Sequence, residues 1–210
     1  MRTYGQFCAL AKALDVVGDR WTLLIVRELM LWKRARYTEL KSGLPGIASN
    51  LLSERLRELE EAGILTREDA PPPVAATLYA LTERGRSLAP AIRALGRWGA
   101  PLLAQAPKTD EVRGHWVGLP VELYMTDAKP TAPPMTLQVR TADYPVTLRI
   151  GNGEIESEIG TAARPDATIS GPAREVLRVL LKRTTLAKAK ASGVTYRGDR
   201  SVLARLKPAA

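Results

Sequence analysis

Apolar residues recur at helical spacing through the first half of the chain and alternate with polar residues through much of the second half. Recurrence at every third or fourth position indicates a helix with one buried face, and alternation indicates a half-buried strand. In the first half this pattern predicts helices at about 6–17, 21–29, 38–42 and 48–62. Two strands, at 64–68 and 76–81, follow as a hairpin whose tip carries Pro71, Pro72 and Pro73.

The helix predicted at 48–62 has two contrasting faces. Leu52, Leu56 and Leu59 form an apolar stripe that would pack on a core, whereas the opposite face is polar. Gly63 ends the helix, since glycine adopts the backbone conformation of a C-terminal cap. A short helix, a tight turn, this longer helix and a hairpin are the winged helix-turn-helix order, which leaves the polar face free to enter the major groove of DNA.

Candidate DNA-binding residues surround this helix. The small polar side chains near its start, which can approach base edges, are Ser49, Asn50 and Ser53. The flanking residues that can contact phosphates are Arg36, Thr38, Lys41, Arg57 and Arg67. Arg55 leaves two interpretations open, a phosphate contact or an ion pair with a glutamate such as Glu58.

A further helical stretch follows the hairpin from Thr82 onward. Pro90 lies inside it and is expected to kink or split the helix. An apolar helical face, which neither the wing nor the core obviously uses, carries Trp98, Leu102 and Leu103, and the first helix adds Leu10 and Leu14. We therefore expect a homodimer that buries these side chains.

The second half is predicted as a separate domain. Residues 1–105 form the first domain, 106–111 a polar linker with a proline, and 112–210 the second domain. Strands at 145–150, 154–159, 166–170 and 193–199, with a helix at 174–182, predict an α+β domain whose mostly antiparallel sheet is covered by helices. The tight turn Gly151-Asn152-Gly153 joins the first two of these strands as a hairpin.

Composition narrows the choice of function. The formal net charge is +9, which suits a polyanionic partner such as double-stranded DNA. Cys8 is the only cysteine and His115 the only histidine, so a disulfide, a cysteine metal cluster and a Ser-His-Asp triad have little support. We expect no enzyme, no cofactor and no metal. The chain has no apolar run of membrane-spanning length, so we expect a cytoplasmic protein without a membrane partner.

The first hundred residues or so resemble the HxlR family of bacterial winged-helix regulators. The resemblance is carried by Cys8, 18–25, 36–40, 44–47, 52–63 and 79–85, which fall in order at matching spacing. It implies a homodimer, with the first and last helices at the interface, on a two-fold operator. Ala48 departs from the family, which usually has serine there, so a helix-capping hydroxyl is lost.

Cys8 has two interpretations. Some HxlR members use a cysteine at this position as a thiol switch, but they commonly have proline next, where this chain has Ala9. The other interpretation is a buried small apolar residue. A thiol-based redox regulator acting through Cys8 is therefore an alternative function.

The second domain resembles the sterol carrier protein type two fold in the segments 146–153, 165–169 and 191–199. The resemblance implies a sheet covered on one face by helices that enclose an apolar cavity, hence a possible apolar effector. The candidate lining residues are Val146, Leu148, Ile150, Leu177, Leu180 and Leu181. These side chains equally suit a filled core. The leading prediction is an effector-responsive regulator, and a lipid carrier is the alternative from another class.

Overall fold

The chain divides into two compact units, Met1–Ala106 (unit 1) and Pro107–Ala210 (unit 2). The structure is a computed structural model that describes residues 3–70, 76–107 and 109–209. The proline-rich hairpin tip, Pro71 to Pro73, lies outside the described residues.

In its described residues, unit 1 combines helices with a small sheet. The helices are α1 (Ala9–Val17), α2 (Thr22–Trp32), α3 (Tyr37–Ser42), α4 (Ser49–Glu61), α5 (Glu83–Arg86) and α6 (Ala89–Gly99). The strands are β1 (Arg34–Arg36), β2 (Leu65–Ala70) and β3 (Ala76–Leu81), in the order β1-β3-β2 with both pairs antiparallel. This arrangement confirms the predicted helix-turn-helix and hairpin, and it adds β1, which was not predicted.

The centre of unit 1 is α2. Its Ile25, Val26 and Leu29 are buried, and they share one apolar core with the leucine stripe of α4. Burial of an almost wholly apolar helix on most sides is the result that its sequence predicts. The helix-turn-helix is thereby packed against the central helix α2.

The join between α4 and the hairpin depends on Gly63. Its φ is +67°, its N–H donates to the Glu60 carbonyl over 2.9 Å, and the Ile64 N–H donates to the Leu59 carbonyl over 2.9 Å. These two bonds form a Schellman motif, in which a left-handed residue closes the helix and redirects the chain. The predicted role of Gly63 as a C-terminal cap is confirmed.

Gly63→Ala is expected to lower the free energy of unfolding by about 1–2 kcal/mol, the usual cost of a left-handed residue with a side chain. No atom lies within 4 Å of a Cβ built at Gly63, so the cost comes from the backbone and not from a clash. Gly99→Ala is the matched control, because Gly99 has an equally open Cβ position but a φ of −77°. Urea unfolding of both variants checks the prediction, and equal effects would contradict it.

Proline splits the helical stretch after the hairpin. The stretch consists of α5, α6 and a 3-10 helix, Ala100–Gln105, with Pro90 in the first turn of α6 and Pro101 in that of the 3-10 helix. A proline has no N–H to donate and is tolerated there because the first-turn N–H groups have no helical acceptor. The prediction that Pro90 kinks or splits the helix is confirmed.

In its described residues, unit 2 is an α+β structure with one main sheet. Its helices are α7 (Gly118–Tyr124), α8 (Ala173–Leu180), α9 (Leu186–Ala189) and α10 (Ser201–Arg205). Its strands are β4 (Met125–Asp127), β5 (Met135–Arg140), β6 (Val146–Gly151), β7 (Glu154–Ile159), β8 (Ala167–Ser170), β9 (Thr195–Gly198) and β10 (Leu206–Pro208). The main sheet has the order β7-β6-β5-β8-β9, and only the β5–β8 pair is parallel.

The β6–β7 hairpin shows how the sequence sets this sheet. Gly151 pairs with Glu154, so the loop is the two residues Asn152 and Gly153, whose φ values are +55° and +83°. Positive φ at both positions is the type I′ turn, whose twist matches that of the strands. Strand residues on one face, such as Leu148 and Ile150, enter the core together with Val176 and Leu180 of α8.

Candidate nucleic-acid interface

Two side chains of α3 hold the start of α4. The Tyr37 hydroxyl donates to the Ser49 carbonyl over 2.8 Å, and the Lys41 ammonium donates to the Ile47 carbonyl. Ala48, the residue before α4, has extended backbone and no side-chain cap. The expectation that Ala48 lacks a capping hydroxyl is thus confirmed. Hydrogen bonds from the side chains of α3 hold the turn before α4 instead.

The other end of α3 packs against a buried carboxylate of α2. Glu28 is fully buried and accepts hydrogen bonds from Arg27 Nε and Nη2 at 3.1 and 2.6 Å, while Arg27 Nη2 also lies 3.3 Å from the Gly43 carbonyl oxygen. A Cβ on Gly43 would collide with the Glu28 carboxylate. Glycine at this position therefore lets α3 approach α2 closely.

The faces of α4 are sharply divided. Leu52, Leu56 and Leu59 are at most 2% exposed. Ser49, Asn50 and Ser53, the residues predicted to approach base edges, are exposed. Because the leucines pin the helix, these three side chains are presented to solvent by a rigid element.

Charge is distributed unevenly along α4. Glu58, Glu60 and Glu61 lie in its C-terminal part, while its first five residues carry no charge. The N-terminal end of a helix has free N–H groups and the positive end of the helix dipole, so it favours an anion, and the acidic C-terminal end does not. A polyanion is therefore best accommodated at the end that holds Ser49 and Asn50.

Arg55 is held inside unit 1. Its Nη1 lies 2.8 Å from Asp19 Oδ2 and also contacts Glu58, and the side chain is only 15% exposed. The sequence left two interpretations of Arg55 open, and the contacts in the structure agree with the ion pair. Arg55 thereby connects α4 to the loop before α2 through Asp19, a contact that was not predicted.

The residues predicted to contact phosphates differ in their exposure and in the partners of their side chains. Arg36 is exposed at the start of α3, where its N–H donates to Glu39 Oε2 over 2.6 Å, and Thr38, two residues later, is also exposed. Arg67 is exposed on β2, opposite Tyr79 of β3, and burial raises the pKa of Tyr79. Arg57 is exposed but lies 3.9 Å from Glu61. Lys41 is half-buried in the turn, as described above.

Two segments of unit 1 expose large apolar side chains. They are the N-terminal segment with α1 (Tyr4, Phe7, Leu10 and Leu14) and α6 with the 3-10 helix (Leu95, Trp98, Leu102 and Leu103). Trp98 is 76% exposed, and Ile92 is the one buried residue of α6. We call these eight side chains the apolar surface. It contains all five residues that the sequence analysis assigned to a dimer interface.

Cys8 is exposed at the residue before α1. In the single chain it is therefore not the buried small residue of the second interpretation.

The six candidate ligand-binding residues of unit 2 form part of its core. Val146, Leu148, Ile150 and Leu180 are at most 1% exposed, and Leu177 and Leu181 are partly buried against them. Their packing corresponds to a filled core, one of the two possibilities that the sequence allowed.

The helix-turn-helix with its hairpin defines unit 1 as a winged helix-turn-helix. Residues 16–107 match the family model described as HxlR-like helix-turn-helix. The chain is 37% identical over 87 residues to the uncharacterised HTH-type transcriptional regulator YvaP of Bacillus subtilis, covering 41% of this chain and 80% of that one. It is 35% identical over 101 residues to the regulator sll1512 of Synechocystis sp., covering 48% and 74%.

Among solved structures, the reduced form of the transcriptional regulator YodB from B. subtilis is 29% identical to this chain, covers 49% of it and 100% of YodB, and has a TM-score of 0.42. The chain belongs to the HxlR-like helix-turn-helix family and is a transcriptional regulator of that type. In the residues that the structure describes, no helix is long and apolar enough to cross a membrane.

Proposed function

We propose that the chain regulates transcription as a homodimer that binds a two-fold site in duplex DNA. The observation that carries the proposal is α4, with its leucine face buried and Ser49, Asn50 and Ser53 exposed at its uncharged N-terminal end. In this proposal those three residues contact base edges in the major groove, and the β2–β3 hairpin lies beside the adjacent minor groove.

Phosphate contacts are assigned to the cations around α4. Arg36 and Arg67 are exposed and make no ion pair among the described residues, so their charge is available to a phosphate. Thr38, Lys41 and Arg57 complete the proposed set. Arg55 is left out, because its charge is already shared by two carboxylates.

The dimer is proposed to form through the apolar surface, with a second copy of the chain as the occupant. A large apolar area is rarely left exposed on a monomer, and covering it stabilises association by about 25 cal/mol per Å². A two-fold site in DNA requires two copies of α4 about one DNA turn apart, which only a dimer can supply.

Asn50→Ala is expected to weaken binding to a duplex selected from a random pool by about 1–3 kcal/mol while leaving binding to unrelated DNA unchanged. Arg67→Gln is expected to weaken binding to every sequence and to reduce the salt dependence by about one ion per side chain, hence about two per dimer. Fluorescence anisotropy over a salt series measures both effects.

Glu60→Gln is the matched control for Asn50, because Glu60 is exposed on the same helix at its far end. It should leave the sequence preference intact. Unchanged affinity and preference in Asn50→Ala would remove α4 as the reading helix.

The finer predictions about an effector and a redox switch remain predictions. The proposed function assigns no ligand to the six residues once expected to line an apolar cavity, because they are packed as core. The same holds for the resemblance of unit 2 to the sterol carrier protein type two fold, for the lipid-carrier alternative and for the Cys8 thiol switch.

A further inference from the structure

Unit 2 has a cleft of about 550 Å³ beside the C-terminal end of α8. Its apolar lining comes from Val179, Leu186 and Leu203, which are buried or half-buried. A volume of this size is typical of sites for small organic molecules, which combine an apolar lining with a few polar groups.

The charged side chains that line the cleft are all cations: Arg178, Lys182, Arg183 and Lys188. Arg178 is offset by Glu175, whose carboxylate oxygens lie 3.0 and 3.2 Å from its Nη1. The Lys182 ammonium donates to the Leu203 carbonyl. Arg183 and Lys188 have no ion pair among the described residues. The cleft therefore holds a net positive charge that the described part of the chain does not neutralise.

The turn after α8 brings two of these cations to the cleft. Lys182 has a φ of +57°, and the Arg183 N–H donates to the Arg178 carbonyl over 2.8 Å, which closes the helix in a Schellman motif. A lysine in this conformation costs more than glycine would. Its surroundings lower the pKa of Lys182 through burial.

An alternative role for the cations at the C-terminal end of α8 is to stabilise that helix end, where the helix dipole is negative. Lys188 is not explained in this way, because it belongs to α9 and lines the same cleft. Duplex DNA is an alternative ligand for these cations. A concave site with apolar side chains, however, suits a small molecule better than a phosphate backbone.

We propose that this cleft binds an amphipathic organic anion, with the acidic group on Arg183, Lys188 and Lys182 and the apolar body against Val179, Leu186 and Leu203. The site lies wholly in unit 2 and does not depend on the proposed DNA binding. It also differs from the apolar cavity predicted from the sequence in both position and charge.

The test is a calorimetric titration of the full chain, without DNA, with octanoate as the probe. Octan-1-ol supplies the apolar body alone and acetate the acidic group alone. We expect octanoate to saturate one site per chain and both partial probes to bind at least about tenfold more weakly, since a charge-assisted hydrogen bond is worth about 1.5–3 kcal/mol.

The double variant Arg183→Gln, Lys188→Met should weaken octanoate binding by at least about tenfold. The matched control is Arg197→Gln, Lys207→Met, which removes two exposed cations of unit 2 that do not line the cleft. It should bind octanoate like the wild type. Circular dichroism establishes that both double variants are folded.

Three outcomes would overturn the proposal: no octanoate binding, equal binding of octanoate and octan-1-ol, or equal weakening by the two double variants. Loss of duplex DNA affinity in the cleft variant without octanoate binding to the wild type would instead assign these cations to DNA. A wild-type chain that binds octanoate but no duplex would leave this site standing while removing the proposed function.

Discussion

Replacing Leu95 and Trp98 together by glutamate is expected to turn the proposed dimer into a monomer and to weaken its binding to a selected operator by about a hundredfold or more. Both side chains are more than half exposed on α6, which buries only Ile92 in its own chain. Placing four carboxylates in the middle of a two-fold interface leaves them desolvated without partners, which opposes association. The fall in DNA affinity follows because a monomer binds one half-site without the gain of a linked second contact.

Sedimentation velocity and DNA anisotropy on the same samples check this expectation. The control is Ala128→Glu, Ala142→Glu, which adds the same charge at exposed positions of unit 2. That variant should remain dimeric and lose little affinity. A wild-type chain that sediments as a monomer at micromolar concentration, or a Leu95 and Trp98 variant that sediments as a dimer, would rule out the proposed interface.

The helices of unit 1 were predictable because each combines a clear apolar period with a recognisable end. The stripe of Leu52, Leu56 and Leu59 and the stop at Gly63 locate α4 to within a residue at either end. By contrast, β1 has only three residues and one buried side chain, Ala35, too short a stretch to show an alternating pattern. It is recognised only through its pairing with β3, a contact between distant segments.

The first helix shows a second limit. It was expected from about residue 6 but begins at Ala9. Before it, the N–H of Tyr4 and the hydroxyl of Thr3 donate to the Asp15 carboxylate over 2.8 and 2.9 Å, so the chain folds back along α1. The hydrogen bond from the Tyr4 N–H is the main cause of the lowered pKa of Asp15. A helical period does not reveal such a competing hydrogen bond.

In unit 2 the β6–β7 hairpin was predictable from Asn152 and Gly153, whereas β5 was missed. Gln138 lies in the middle of β5 and is fully buried, although its alternation with Leu137 and Val139 predicts an exposed side chain. Its amide is satisfied by the carbonyls of Val146 and Gly160, at 3.0 and 3.2 Å, and by the N–H of Ala162, at 2.8 Å. Buried polar groups need such partners, but the sequence does not identify them in advance.

The candidate sites also differ in whether the period of a single element is enough to predict them. Exposure of Ser49, Asn50 and Ser53 follows directly from the period of α4, so this part of the interface was predictable. The period of an apolar face, however, is the same whether the face lines a cavity or fills a core. It therefore could not separate these two possibilities for Leu148 or Leu180. The cationic cleft was missed because Leu203 of α10 meets the segment from α8 to α9 only in the folded chain.

Arg205→Met is expected to destabilise unit 2 by about 3–5 kcal/mol, the usual effect of leaving one partner of a buried ion pair alone. Arg205 and Asp127 are 3% and 4% exposed, and their side chains form two hydrogen bonds, at 2.8 Å (Nε–Oδ1) and 2.5 Å (Nη2–Oδ2). Arg205 also donates to the carbonyls of Pro133 and Lys129. Its loss leaves the Asp127 carboxylate buried with backbone N–H partners, those of Lys129 (at 2.9 Å) and Gly153, and with no cation beside it among the described residues.

The pH dependence of this effect follows from the sign of the pKa shift. The hydrogen bonds from Arg205 hold the pKa of Asp127 below the ordinary value of 3.8 for an aspartate side chain. A carboxyl with a lowered pKa contributes stability that is complete above its unfolded pKa and is lost as the pH falls through the folded one. The same pairing raises the pKa of Arg205, whose contribution is lost only in strong alkali. The contribution of the intact pair to the stability of the wild type should therefore be constant between about pH 5 and 9.

Hydrogen exchange of the amides of β4 and β10 measures this stability, because Asp127 belongs to β4 and Arg205 immediately precedes β10. Arg149→Met is the matched control, since Arg149 and Glu158 form an exposed pair at 3.4 Å, which is worth about 1 kcal/mol or less. Adding Asp127→Leu to Arg205→Met should recover part of the loss, because it removes the unpaired charge. Recovery stays partial because the carbonyls of Pro133 and Lys129 still lack the donors that Arg205 supplied. Equal exchange in Arg205→Met and Arg149→Met would mean that the buried pair contributes no more than an exposed one.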